Sequence, residues 1–278
     1  MLSARRFTRT LLPFTATALV LAGCSSQDEA TGLDATGPDG TVPVLDFTSE
    51  LSHLHGLHVD GDGTVLAGTH TGLFAIDSDT PSRVGTSDDD FMGLAGIPVS
   101  DTLFASGHPG LSSTAANPLG LRSSTDGGKS WVEQSLGGQV DFHALAADEN
   151  TLVGFDGTDG LLVSTDGGST WTRGAAIPAM SLAVNTSGIW AITGQGLEHS
   201  TDGARTFSAV TDAPDLVMLA GAGDALWGID IEGYAWRSRE GVEWQKLAQV
   251  GPVAALTAKD YETAYAATTT SLYTLNES

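Results

Sequence analysis

The sequence predicts an all-β fold, a six-bladed β-propeller whose ring is closed by an N-terminal strand, on three observations. A glycine-rich turn recurs at intervals of 36 to 40 residues, a strand–turn–strand pattern occurs six times, and one early apolar segment is left without a blade of its own. Short strands and glycine turns repeating at this period are the signature of a propeller, in which each repeat forms one four-stranded sheet and buries its faces against its neighbours.

The recurring turn reads Ser124-Thr125-Asp126-Gly127-Gly128-Lys129-Ser130-Trp131 and again Ser164-Thr165-Asp166-Gly167-Gly168-Ser169-Thr170-Trp171. A third copy, from Ser200 to Phe207, keeps Asp202 and Gly203 and has Phe207 in place of Trp. A fourth, from Ser238 through Glu240 and Gly241 to Trp244, is degenerate. The motif resembles the Asp-box, or BNR repeat. Its chemistry is that of a turn: the carboxylate accepts hydrogen bonds from turn amides, the glycines permit positive φ, and the ring is expected to bury beside the next sheet. Asp126, Asp166 and Asp202, with Trp131, Trp171 and Phe207, are therefore expected to hold structure, not to catalyse.

Six aligned segments count the blades: 64–74, 102–110, 151–163, 188–199, 225–236 and 263–273. Each has apolar residues, then Ala or Gly, then a short polar turn, then a strand. Apolar inner strands precede them at Leu54 to Val59, Phe91 to Ile97, Phe142 to Ala147, Ser181 to Val184, Leu216 to Ala220 and Val253 to Leu256. The last blade runs out at Leu275 without a clear fourth strand. Residues 41–47, TVPVLDF, alternate and are expected to supply that strand and close the ring, which removes exposed edges.

Ahead of the propeller, Arg5, Arg6 and Arg9 precede an apolar stretch from Leu11 to Ala22, too short for an ordinary transmembrane span. Leu21-Ala22-Gly23-Cys24 follows and resembles a bacterial lipobox, which implies cleavage before Cys24 and lipidation of that residue. Residues 25–40 are polar, Gly-rich and aperiodic, as a tether is. The expected organisation is a signal peptide at 1–23, a lipidated Cys and tether at 24–40, and the propeller at 41–278. The expected location is the bacterial cell envelope, on the outer face of the cytoplasmic membrane or the periplasmic or extracellular side.

Composition narrows the partners. With 12 Lys+Arg against 34 Asp+Glu in 278 residues, the net charge of −22 repels phosphate backbones and anionic lipid surfaces, so nucleic acid is not expected and a membrane is held by the lipid alone. One Cys excludes an intrachain disulfide and a cysteine-built zinc site. The 41% hydrophobic content is sufficient for a folded core, expected to be monomeric.

Propeller topology then sorts the histidines. The loop entering an inner strand and the turn between second and third strands share one face, and the Asp-box turn lies on the other. His53 and His55 enter the inner strand of blade one, His70 is in its second-to-third turn, His108 is in the same turn of blade two, and His143 enters blade three. Met92 and Asp88 to Asp90 enter blade two. Five of the seven histidines are thus expected on one face. Strand alternation should turn His58 away, and His199 lies on an outer strand. Neutral imidazoles in an acidic protein suit Zn or Cu, and the thioether of Met92 tilts toward copper. His53 and His55, at i and i+2, should project to one side as a pair. The same residues could instead be hydrogen-bonding plugs around the funnel mouth.

The set HLHGLHVD, THTGLF, DDDFMGL, SGHPG and DFHAL, with the lipobox and Asp-boxes, resembles bacterial lipoproteins labelled sialidase-like or glycosyl-hydrolase-like, across essentially the whole mature chain. The resemblance implies a six-bladed sialidase-type fold and a glycoside hydrolase activity. A sialidase also implies three substrate-gripping arginines, an Arg-Ile-Pro stretch and a Tyr nucleophile. There is no Arg-Ile-Pro; Arg83, Arg122, Arg173, Arg205, Arg237 and Arg239 fall by Asp-box turns or on outer strands, and Tyr234, Tyr261, Tyr265 and Tyr273 fall in blades five and six. True exo-sialidase activity is not expected. A two-carboxylate glycosidase stays open, with Asp90 and Asp141 as candidate acids and Asp156 and Asp230 on the same face. The reading is a lipoprotein whose histidine face binds a metal ion or small ligand, with metal-assisted hydrolysis conceivable. The alternatives are a glycoside hydrolase lacking the arginine triad and an envelope scaffold that holds a cell-envelope glycan or protein.

Overall fold

A computed structural model describes residues 42–276 of the chain. The expected signal peptide, Cys24 and the tether lie outside the described residues. All regular structure among the described residues is β, in six four-stranded antiparallel sheets. No helix there is long and apolar enough to cross a membrane.

In chain order β1 is Val44–Asp46, set apart from blade one. Blade one is β2 (Leu54–Val59), β3 (Val65–Thr69), β4 (Gly72–Ile76) and β5 (Ser82–Val84). Blade two is β6 (Asp90–Gly96), β7 (Leu103–His108), β8 (Leu121–Ser124) and β9 (Val132–Ser135). Blade three is β10 (Ala144–Ala147), β11 (Leu152–Phe155), β12 (Leu161–Ser164) and β13 (Thr172–Arg173). Blade four is β14 (Ser181–Asn185), β15 (Gly188–Thr193), β16 (Gly196–Ser200) and β17 (Ser208–Ala209). Blade five is β18 (Leu216–Ala222), β19 (Ala225–Asp230), β20 (Tyr234–Arg239) and β21 (Glu243–Gln249). Blade six is β22 (Ala255–Ala258), β23 (Thr263–Ala267) and β24 (Ser271–Asn276), and its fourth strand is β1.

The leftover segment closes the ring as expected. β1 pairs antiparallel with β24 in the register Val44↔Tyr273, Leu45↔Leu272 and Asp46↔Ser271, and the Ser271 hydroxyl donates to Asp46 Oδ1 at 2.8 Å. Two inner strands begin later than the apolar pattern implied. β10 omits Phe142 and His143, and β22 omits Val253 and Ala254. At Phe142 the main-chain amide donates to the Ser106 hydroxyl of blade two, not to a strand partner, while its ring is fully buried.

Apolar burial follows the blade boundaries. Each of the six core clusters straddles two adjacent blades, as where Leu66 and Leu73 of blade one meet Phe91, Leu94 and Leu103 of blade two, or where Leu54 and Leu57 of blade one meet Ala255 and Leu272 of blade six. β3 and β19 are buried throughout, whereas the outermost β13 and β17 are two residues long and exposed. Middle strands therefore read as continuous apolar runs and outer strands as polar ones.

The repeated turns have the expected chemistry. Asp166 Oδ1 accepts from the Thr170 amide at 2.9 Å and the Ser164 hydroxyl at 2.7 Å, and Oδ2 accepts from the Thr170 hydroxyl at 2.7 Å. Asp126 and Asp202 repeat the pattern with Ser130 and Thr206. These bonds favour the ionised form and hold each of the three carboxyls down to about 2. The box ring, however, packs toward the preceding blade and not the next. Trp171 of blade three donates from Nε1 to the Ser135 hydroxyl of β9 at 2.9 Å, and Trp131 packs in the cluster that joins blades one and two. Gly168 has φ +83°, and a Cβ there would sit 2.0 Å from Leu121 of blade two, so the turn itself must press against the preceding sheet.

The direction of these shifts sets a pH dependence. A carboxyl whose folded pKa lies below its unfolded value contributes stability above about pH 4, and that contribution is lost as pH falls toward about 2. The triple variant Asp126→Asn, Asp166→Asn, Asp202→Asn is expected to unfold at lower denaturant than the unmodified protein at pH 6, with the gap closing by pH 2. An equal gap at both pH values would show that ionisation of the boxes does not matter.

Candidate metal centre

The six inner strands surround an axial channel. One leucine from each, Leu57, Leu94, Leu145, Leu182, Leu219 and Leu256, lines both the cavity of about 210 Å³ on the histidine face and a smaller one of about 70 Å³ toward the other. Two residues earlier in each blade stand His55, Met92, His143, Met180, Val217 and Ala254, all lining the larger cavity. The mouth of the funnel thus carries two imidazoles and two thioethers on four consecutive blades. Met180 was not among the expected site residues. Its signal was present in the sequence as the residue before Ser181, aligned with Met92.

His53, His55 and His70 converge, but not by simple strand alternation. His53 precedes β2 with φ +44°, and the β2–β3 register shifts between Leu54 and Gly56, so His55 sits in a bulge. His70 stands in the β3–β4 turn, where its amide donates to the Ser52 carbonyl at 3.3 Å. The left-handed residue and the bulge together bring the rings to centroid separations of 4.5 to 4.9 Å. One nitrogen from each lies within 4.8 Å of the others. Asp90, the first residue of β6, faces them from blade two. Gly107, at φ +143°, lets β7 close on the irregular start of β6, because a Cβ there would lie 2.0 Å from the Asp90 carbonyl oxygen.

Hydrogen bonding orders the tautomers. His70 Nδ1 is 3.1 Å from Asp90 Oδ2, so Nδ1–H donates to the carboxylate and Nε2 keeps its lone pair, directed at His53 Nδ1 2.6 Å away. His55 Nε2 is 3.6 Å from Asp90 Oδ1, beyond hydrogen-bonding distance, and both atoms are buried without a partner. Burial is the largest influence on His55 and pushes its pKa below the usual imidazole value, against the attraction of Asp90 and with the repulsion of the neighbouring histidines.

The other two histidines form a separate group, so the expected five-histidine constellation divides in two. His108 Nε2 lies 3.3 Å and His143 Nε2 3.0 Å from the same oxygen, Asp141 Oδ2, and His108 Nδ1 is 2.8 Å from Asn117 Oδ1. Asp141 Oδ1 is buried without a hydrogen bond. Met92 lines the cavity between His55 and His143. His58 and His199 stand apart as expected: His58 Nε2 bonds the Ser100 carbonyl at 2.7 Å, and His199 stacks on Trp190 with centroids 3.8 Å apart.

The carboxylates and arginines also sort. Asp230 is buried and accepts from the amides of Glu232 and Tyr234 and from Trp236 Nε1, at 2.7 to 2.9 Å. Asp156 accepts from Thr158 and Asp159. Both hold turns and are not placed as catalytic acids. Two of the arginines expected beside Asp-box turns or on outer strands, Arg83 and Arg173, reach the rim of this face. Arg83 donates to the main-chain carbonyls of Thr71, next to His70, and Ser87, and Arg173 pairs with Asp159 of the β11–β12 turn at 3.6 Å. Arg83 is thereby occupied with the backbone at the rim, not directed at the funnel.

Solved structures match the chain across most of its length. YCF48 bound to a D1 peptide has 12% identity and a TM-score of 0.54, over 85% of this chain and 97% of that one. The GH74 enzyme of Niastella koreensis has 17% identity and a TM-score of 0.57, over 82% of this chain and 42% of that one. A Bacteroides thetaiotaomicron protein of unknown function has 12% identity and a TM-score of 0.58, over 85% and 73%. The likeness is one of fold. This chain spans less than half the length of the GH74 enzyme. No family model matches the chain, and no curated protein matches it by sequence.

The lowered pKa of His55 has a measurable consequence in the metal-free protein. Its imidazole should titrate below 6.5 in an NMR series, and the stability it contributes as a buried neutral ring should be full above pH 6.5 and decline as pH falls through the folded pKa. Titration at or above 6.5 would mean that Asp90 outweighs burial.

Proposed function

We propose that the protein binds a transition-metal ion, Zn(II) or copper, through His53, His55 and His70 at the mouth of its propeller. The observation that carries this reading is the buried, unpartnered Nε2 of His55 beside two further imidazole nitrogens. A buried polar atom without a partner costs about 1–3 kcal/mol, which a bound cation would remove. Imidazole donors suit Zn and Cu, and the thioethers of Met92 and Met180 at the same mouth add a preference for reduced copper.

The chain's own residues have distinct tasks in this reading. Asp90 holds Nδ1–H of His70 and so directs Nε2 inward, the arrangement in which a carboxylate orients a metal-binding histidine. His53 would contribute Nδ1 in its other tautomer, its proton passing through solvent to Nε2 of the same exposed ring, so that His70 Nε2 keeps its lone pair for the ion. Three protein ligands leave a coordination position open, and a metal there would supply Lewis acidity for hydrolysis of a ligand in the funnel. Attachment to the outer face of a bacterial membrane through Cys24 is part of the proposal. It would hold this mouth in an extracytoplasmic space where metal ions and envelope glycans are both met.

A glycosidase reading is less well supported, because Asp90 and Asp141 each face imidazoles and the other two acids hold turns.

Untagged protein exposed separately to Zn(II), Cu(II) and reduced Cu(I), then desalted, should retain metal by elemental analysis. His55→Ala or His70→Ala should abolish retention at this position, and Asp90→Asn should weaken it by about 10- to 100-fold. Failure to retain any of the three ions would sink the proposal.

A further inference from the structure

We infer that His108, Asp141 and His143 form a second divalent-metal position, one blade along from the first. It stands on different residues from the proposed function and shares with it only the funnel mouth.

The chain repeats one device at successive blade junctions. His70 and His108 occupy the same aligned place after THTG- and SGHP-type strand ends, and each meets the Asp that enters the following blade, Asp90 or Asp141. Repetition of the fold accounts for equivalent positions, but not for the same two residue types being placed in contact at both. In the second copy the carboxylate is shared: a single oxygen of Asp141 faces the Nε2 atoms of both His108 and His143 at 3.0 to 3.3 Å.

Tautomer counting makes this arrangement call for a positive charge, either a proton or a metal ion. Asn117 Oδ1 is an acceptor, so His108 uses Nδ1–H to reach it and a neutral ring then turns a lone pair at Nε2 toward the carboxylate. Two lone-pair-bearing atoms at 3.3 Å repel unless positive charge lies between them. Asp141 adds a second demand, because its Oδ1 is buried and has no hydrogen-bond partner. A proton on His108 Nε2 answers the first demand and leaves Oδ1 bare, whereas a divalent ion held by the two imidazoles and both oxygens of the carboxylate answers both. Two nitrogens and one oxygen are a donor set for a borderline ion such as Zn(II) and do not select Ca(II) or Mg(II), which take all-oxygen shells.

Access supports the same conclusion. The side chains of His108 and His143 are 47% and 56% exposed, so an ion can reach them from solvent, while Asp141 is held at 16% beneath. His143 and His55 line one cavity with Met92 between them, so both positions open on the same mouth. Asn117 is a positioning residue that fixes the His108 tautomer.

The test is Zn(II) titration of the untagged, metal-stripped full chain by calorimetry, with elemental analysis after desalting. The unmodified protein is expected to take two equivalents. His143→Ala, His108→Ala and Asp141→Asn should each leave one, His70→Ala should leave the other, and combining His70→Ala with His143→Ala should leave none. In the His70→Ala background, Zn(II) should shift the imidazole NMR signals of His108 and His143, and Asn117→Ala should weaken that binding by about 10- to 100-fold with its stoichiometry kept. A single equivalent that survives His143→Ala and Asp141→Asn would overturn the inference, leaving His108 and His143 as ordinary donors to Asp141. A single equivalent lost in His143→Ala but kept in His70→Ala would uphold it while removing the proposed function at His53, His55 and His70.

Discussion

The structure depends on blade-to-blade burial around a closed ring. No blade can hide both faces of a four-stranded sheet by itself, and each of the six apolar clusters is shared between two neighbours. A ring with one junction open would expose two sheet faces and the free edge of β24 together. The three-residue pairing of β1 with β24 prevents this by tying the start of the described chain to its end. The box rings add ties of the same kind, since Trp171 reaches from blade three to the Ser135 hydroxyl of blade two.

The rigidity of that ring is what allows a converging histidine cluster on its surface. His53, His55 and His70 belong to blade one and Asp90 to blade two, so their geometry is set by a blade junction and not by one loop. Its local conformations are irregular: a left-handed histidine, a bulge on β2, and a register shift on β6 between Asp90 and Gly93. Such features persist where the surrounding packing over-determines them. Beneath them the six leucines narrow the channel, which makes the histidine face a funnel with an apolar floor and a mouth of mixed imidazole and thioether.

The two His–Asp units share an electrostatic logic. Each places a carboxylate low and largely shielded, with imidazoles above it, in a chain of strong negative charge. Low exposure strengthens the interaction of each carboxylate with its histidines, and in each unit one carboxylate oxygen, Oδ1 of Asp90 or of Asp141, is buried without a hydrogen bond to the described residues. Asp126, Asp166 and Asp202 on the opposite face have the reverse character. Their hydrogen bonds are local and complete, so they serve the turn.

How much of this was legible in sequence follows from whether the signal was periodic. The blade count, the inner strands to within a few residues, the closing role of residues 44–46 and the face occupied by the histidines all come from spacing, because each blade repeats one buried pattern and topology assigns the turns. The division of five histidines into two groups was not legible, nor the engagement of Arg83 with the Thr71 carbonyl, nor the direction in which the box rings pack. Met180 was visible only as an aligned position, with nothing to mark it as lining the mouth. Spacing along a strand reports which face a residue belongs to; the angle between neighbouring blades, the bulges and the left-handed backbone at His53 decide which side chains on that face meet. Those depend on packing between residues far apart in the chain, and only the tertiary structure decides them.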